Sequence, residues 1–213
     1  MENTLFLIYI ALSGYLVGSI PFGYLITRLA GKGDIRKQGS GNIGATNVTR
    51  SLGKTLGLIT FVLDSFKALA FLVIAHRFFI KDSNIALTIA IIAPVIGHIF
   101  PIWLKFKGGK GVASIIAIIF YLSPSSCLIL LIIWWITFKI LHIVSIASIF
   151  SLFIVIMDVL IISREYSLGI IIICITSIAM HHSNFTRFLQ GKELPFEPKK
   201  KKAKTKKVKK SKK

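Results

Sequence analysis

The feature that most constrains this chain is a succession of apolar runs of helix length, separated by short polar or basic segments. A helix needs roughly 20 apolar residues to cross the hydrocarbon core of a bilayer. Residues 5–26, 56–75, 85–104, 112–138 and 143–162 meet that requirement, and 168–180 is a shorter run. With 54% hydrophobic residues and a mean hydropathy of +0.75 over 213 residues, the chain is too apolar for a soluble domain of this size. The runs lack the period-two alternation of a membrane barrel, so the expected class is an all-α integral membrane protein in one bundle. The first run is long, lacks preceding basic residues and has no clear small-residue cleavage site, so it reads as a mature helix, not a signal peptide. Gly14, Gly18 and Gly23 suit it to close helix packing, and Pro21 predicts a kink.

Charge decides how to divide the run 112–138, which contains Ser123-Pro124-Ser125. Lysine and arginine concentrate in cytoplasmic loops. Three basic regions occur: Arg28, Lys32, Arg36, Lys37, Arg50 and Lys54; then Lys105, Lys107 and Lys110; then Arg187, Lys192 and the C-terminal lysines. Splitting 112–138 at Pro124 gives seven spans and puts all three on one side. The expected topology has the N-terminus outside and the C-terminus in the cytoplasm. The fourth and fifth spans are then short, which predicts embedded irregular backbone before them or a thinned bilayer.

The net charge of +19 is concentrated at the end of the chain. Eleven lysines fall between Lys199 and Lys213, leaving +8 on the rest. The expected division is a membrane-embedded body over 1–197 and a solvated, disordered cytoplasmic lysine tail over 198–213. Cys127 and Cys174 lie inside apolar runs and read as small core residues, with neither a disulfide nor a metal site expected.

Three polar clusters stand out on the expected cytoplasmic side. The first runs from Gly39 to Arg50 and includes Ser40, Gly41, Asn42, Gly44, Thr46 and Asn47. Its glycines permit close backbone approach; its N–H groups, hydroxyls and arginine make a cradle for phosphate. The second is Gly97-His98, Pro101 and the stretch Lys105 to Val112, with Gly108, Gly109 and Lys110 leading into a helix N-terminus that attracts anions. The third is His181, Asn184, Arg187, Gly191 and Glu193, where a spacing of three puts the first three on one helical face. Ser145 and Ser148 in the sixth run are either helix-packing hydroxyls or ligand contacts. Asp64 and Lys67 form a helix pair that is either functional or self-neutralising, and Asp158 has no sequence-local partner. Trp103, Trp134 and Trp135 read as interfacial or packing anchors.

Some chemistries are disfavoured. The chain has no Gly-x4-Gly-Lys-[Ser/Thr] loop and no Gly-x-Ser-x-Gly elbow. No aspartate cluster follows the glycines, which disfavours a metal-dependent phosphotransferase. His76 to Asp82 is one residue too long for the His-x4-Asp pattern of a large class of glycerolipid acyltransferases.

At these clusters the chain resembles the bacterial acyl-phosphate-dependent glycerol-3-phosphate acyltransferases (the PlsY family). The resemblance is carried by Gly39 through Val48, by Gly97-His98 with Lys107 through Ala113, by Val144 through Ile149, and by His181 through Glu193. It covers nearly the whole body. Two features depart from it: Met180 stands where the family usually has a basic residue, and the lysine tail lies beyond the family core. The resemblance implies transfer of a fatty acyl group from acyl phosphate to the sn-1 hydroxyl of glycerol 3-phosphate, giving lysophosphatidate and phosphate. This is the first acylation of phospholipid biosynthesis, in the bacterial inner membrane with the site facing the cytoplasm. It implies Ser40, Arg50, Lys110 and His181 as catalytic residues. Gly41, Asn42, Gly44, Thr46, Asn47, Gly108, Gly109, Ser145 and Asn184 become the substrate-binding set. No metal, cofactor or nucleic acid is expected; the partners are the two substrates and membrane lipid. Against this stand a transporter of a phosphorylated or other anionic solute, whose site would lie near the midplane, and a nucleic-acid anchor acting through the lysine tail.

Overall fold

The computed structural model describes residues 4–80, 83–162 and 164–196. Ten α-helices follow in order: α1 (Thr4–Gly18), α2 (Phe22–Leu29), α3 (Ala45–Leu52), α4 (Lys54–Ile74), α5 (Asn84–Ile99), α6 (Val112–Leu122), α7 (Pro124–Leu141), α8 (Val144–Ile162), α9 (Ser167–Ala179) and α10 (His182–Leu189). No strand occurs among the described residues.

Local chemistry sets the breaks. Pro21 separates α1 from α2 with non-helical dihedrals, as its position predicts. The long run 112–138 does divide at Ser123: its hydroxyl caps α7 by accepting the Ser126 N–H, and Pro124 occupies the first helical position, where no N–H is needed. Ser83 caps α5 in the same way.

Among the described residues, five helical segments are long and apolar enough to cross a membrane: Thr4–Leu29, Lys54–Phe79, Asn84–Leu104, Pro124–Leu141 and Val144–Ile162. A sixth exists if α9 and α10, bent by 48°, count as one. Helix α6 has only 11 residues, about 16 Å at helical rise, so it falls short of a bilayer. The chain before it, from Lys105 to Gly111, is irregular and folds back on the end of α5. The amides of Gly108 and Gly109 donate to the carbonyls of Ile99 and His98 at 3.1 and 3.0 Å.

Helix α5 is central and packs on α1, α4 and α9; α4 packs on α3 and α6, and α8 joins α7 to α9. Leu72, Ile91, Ile115, Ile118, Leu152 and Ile173 are fully buried in the core between them. Side chains such as Tyr9, Leu58, Phe66, Phe120, Trp135 and Phe150 stay exposed on the outer helix faces, as lipid contact requires. The α1–α5 crossing depends on Gly18, where a Cβ would lie 2.1 Å from the Pro94 carbonyl oxygen. A separate small cluster of Ile35, Ile43, Val48 and Leu104 anchors the first long loop. Cys127 and Cys174 are free and buried. The lysine tail lies outside the described residues.

Candidate active site

The glycine-rich loop owes its shape to Asn47. From the first turn of α3, its Nδ2 donates to the carbonyls of Gln38 (3.0 Å) and Asn42 (2.7 Å), and its Oδ1 accepts the Ser40 N–H (2.9 Å). Gly39 has φ +56°, and a Cβ there would sit 2.2 Å from Asn47 Oδ1, so glycine is required. Asn42 Oδ1 accepts the Gly44 N–H, and its Nδ2 donates to the Gly108 carbonyl, which links the first loop to the second. The amides of Ser40, Gly41 and Gly44 are therefore already bonded inside the loop. In the first turn of α3 the amides of Ala45 and Thr46 have no intrahelical acceptor.

The three clusters meet around one cavity of about 730 Å³. Ser40, Asn42, Gly44, Thr46, Asn47 and Arg50 line it from the first loop and α3; Lys110 lines it from the second loop. His181 and Asn184 close it from the α9–α10 bend, and Ser145 and Ser148 from the start of α8. Gly41, Gly108 and Gly109 are not among the lining residues. Gly108 and Gly109 instead let the second loop pack on the end of α5, where a Cβ would lie 2.3 Å from the His98 carbonyl oxygen and 1.8 Å from His98 Nε2.

Glu193 links the third cluster. Its carboxylate accepts bonds from Ser145 Oγ (2.8 Å), Asn184 Nδ2 and Arg187 Nε (2.8 Å). Asn184 Oδ1 accepts in turn from the Lys110 ammonium, so the amide is fixed in one orientation between a cation and an anion. Burial alone would raise the Glu193 carboxyl, but the three donors outweigh it and hold the group below the usual range. Burial pulls the Lys110 ammonium down to about 8, helped by the nearby Arg187 and Arg50 and opposed by Glu193. Arg50 reaches the same chain segment, with Nε donating to the Pro195 carbonyl at 2.9 Å and Nη2 to that of Leu194 at 3.3 Å. His181 Nδ1 lies 2.8 Å from the Ser177 carbonyl, an acceptor only, so Nδ1 carries the proton and Nε2 keeps a lone pair. Ser177 Oγ also donates to the Lys110 carbonyl at 2.6 Å, joining the turn that carries His181 to the lysine loop.

Sequence reasoning gave Glu193 no site role of its own and missed the contribution of Trp134, whose indole lines the cavity and donates to Ser148 Oγ at 3.2 Å. It also left Asp64 and Lys67 undecided. They form an ion pair at 2.8 Å, 2% and 3% exposed, and His98 joins them. Asp64 and His98 reach the cavity wall. Nothing in the spacing links α4 to α5; only the packing of the two helices does. Leu58, Phe61, Ile116 and Val144 form an apolar wall beside these polar groups.

The sequence profile described as glycerol-3-phosphate acyltransferase matches residues 8–191. The chain belongs to the glycerol-3-phosphate acyltransferase family. Among curated members, that of Pelagibacter ubique is 42% identical over 184 residues, covering 86% of this chain and 94% of its own. The Ehrlichia canis member is 39% identical over 183 residues, covering 84% and 93%. The crystal structure of PlsY, an integral membrane glycerol 3-phosphate acyltransferase in its glycerol 3-phosphate form, superposes with a TM-score of 0.83 at 38% identity, covering 90% of this chain and 96% of that one. The lysophosphatidic acid form gives 0.80 at 37% identity, covering 89% and 94%. This family member is thus a multi-pass, all-helical membrane acyltransferase.

Proposed function

We propose that this acyltransferase moves a fatty acyl group from an acyl phosphate to the sn-1 hydroxyl of glycerol 3-phosphate. The observation that carries the reading is the meeting of Arg50, Lys110, Asn184 and His181 around one cavity that also has an apolar wall. Such a cavity suits two phosphate groups at its polar end and an acyl chain at its apolar side. The related structures in glycerol 3-phosphate and lysophosphatidic acid forms support the acceptor and the product.

The hydroxyl oxygen forms a bond to the acyl carbon, and the bond from that carbon to the phosphate oxygen breaks. Inorganic phosphate departs with the electron pair. The hydroxyl proton passes to His181 Nε2, the nitrogen left free by the Ser177 bond, and ends on phosphate. Lys110 and Arg50 offset the charge of the two phosphates, Arg50 with a bidentate fork. Ser40 and Thr46 offer hydroxyls, and Ser145 and Asn184 orient the acceptor. Because a mixed anhydride is already activated, positioning and charge stabilisation supply the catalysis.

We place the site on the cytoplasmic face of the bacterial inner membrane. Seven spans, with the N-terminus outside, bring all three basic regions to that face. A transporter of anions would hold its site near the midplane. Purified protein supplied with acyl phosphate and glycerol 3-phosphate should release phosphate and form lysophosphatidate in equal amounts. No product, or product only from acyl-CoA, sinks the reading.

A further inference from the structure

Residues 193–196 follow α10 and contact four helices that line the cavity. Glu193 accepts from Ser145 on α8 and from Asn184 and Arg187 on α10. The carbonyls of Leu194 and Pro195 accept from Arg50 on α3, at 3.3 and 2.9 Å. The Phe196 ring meets the Phe138 ring of α7 edge-on, with centroids 5.7 Å apart, and Phe138 stacks in turn on Trp134 at 5.1 Å. This short segment thus ties α8 and α10 to α3 and α7. It lies beyond residues 8–191, the stretch matched by the family profile.

The segment's carboxylate and two of its carbonyls are turned to protein donors. What it adds to the cavity beyond Glu193 is the Phe196 ring, which lines it together with Trp134. A phenyl ring has no donor or acceptor, so it neither holds a phosphate nor carries a proton. Its effect is on water. Ser40, Lys54 and Thr55 are exposed and also line the cavity, so solvent reaches it. Water attacks a mixed anhydride at the same acyl carbon as the acceptor hydroxyl. The water oxygen bonds to that carbon and the bond to the phosphate oxygen breaks. One water proton passes to the departing phosphate, and free fatty acid remains. An enzyme with such a donor must keep water from the carbon.

We propose that Phe196 is a specificity-determining residue that shields the acyl carbon from water, so that the acyl group passes to glycerol 3-phosphate and not to solvent. Arg50 and Glu193 hold the segment in place, and Phe138 backs the ring. The inference rests on the acyl phosphate donor under Proposed function.

Purified protein with acyl phosphate and glycerol 3-phosphate in 18O-enriched water tests it. Phosphate, lysophosphatidate and free fatty acid are measured and an enzyme-free blank is subtracted. The wild type should form phosphate and lysophosphatidate in equal amounts. Phe196→Ala should release about twice as much phosphate as lysophosphatidate, the difference appearing as fatty acid that carries 18O. Phe196→Leu should stay close to equality. Phe138 does not line the cavity, so Phe138→Ala removes only the ring behind Phe196 and should raise the ratio too. A merely structural ring would lower both products together and leave the ratio unmoved. An unmoved ratio in Phe196→Ala, or in Phe138→Ala should Phe196→Ala not fold, overturns the proposal. So does 18O found in phosphate instead of fatty acid, which marks attack at phosphorus. A wild type that forms lysophosphatidate with excess phosphate counts against this inference alone; one that forms no lysophosphatidate sinks the proposed function and this inference with it.

Discussion

Asn47→Asp separates a scaffold from a ligand contact with almost no change of volume. The Asn47 amide is buried, and its bonds run to the loop itself: donors to Gln38 and Asn42, and an acceptor for Ser40. Aspartate keeps the acceptor but removes both donors and turns a carboxylate oxygen toward two carbonyls. A buried polar group left without its partner costs about 1–3 kcal/mol, so the pair comes to roughly 2–6 kcal/mol, and about 3 kcal/mol is expected. For a chain of this length that lowers the unfolding midpoint by about 6–12 °C. Cys127 and Cys174 are free and buried, so a thiol-reactive fluorophore added to detergent-solubilised protein reports the transition as they become accessible. Loss of loop geometry should also lower kcat/KM for both substrates together. A midpoint within about 2 °C of wild type, with KM raised for glycerol 3-phosphate alone, would refute the reasoning and make Asn47 a direct substrate contact.

Three further outcomes follow from the same geometry. Lys110 titrates at about 8, so it is charged below that pH and loses its charge as pH rises through it; kcat/KM should fall above pH 8, and Lys110→Arg, whose guanidinium stays charged, should be slower but lack that limb. Gly18→Ala forces a Cβ against the Pro94 carbonyl and should destabilise the fold by about 1–3 kcal/mol, read as a lower unfolding midpoint. Ser177→Ala removes the 2.6 Å bond to the Lys110 carbonyl but keeps the carbonyl that orients His181, so about 1 kcal/mol and roughly a fivefold loss of kcat/KM are expected, with the pH profile unmoved.

The sequence by itself determined that the chain is a helical membrane protein. A bilayer allows backbone polar groups few solutions, and helix-length apolar runs select one of them. It also marked the break at Pro124 and the kink at Pro21, because proline acts locally, through its own missing N–H and fixed φ. The three polar clusters were visible because glycines, hydroxyls and basic residues are conspicuous in an oily chain.

Tertiary structure decided what each residue in those clusters does. Asn47 looked like a ligand contact, yet its amide is bonded to three points of its own loop. Gly108 and Gly109 looked like substrate contacts, yet they do not line the cavity and pack closely on His98. Glu193 joins Ser145 across 48 residues, and Lys67 joins His98 across 31. Hydrogen bonds reach only about 3 Å, so a partner so distant in sequence is chosen by how helices pack, and no local periodicity records that choice.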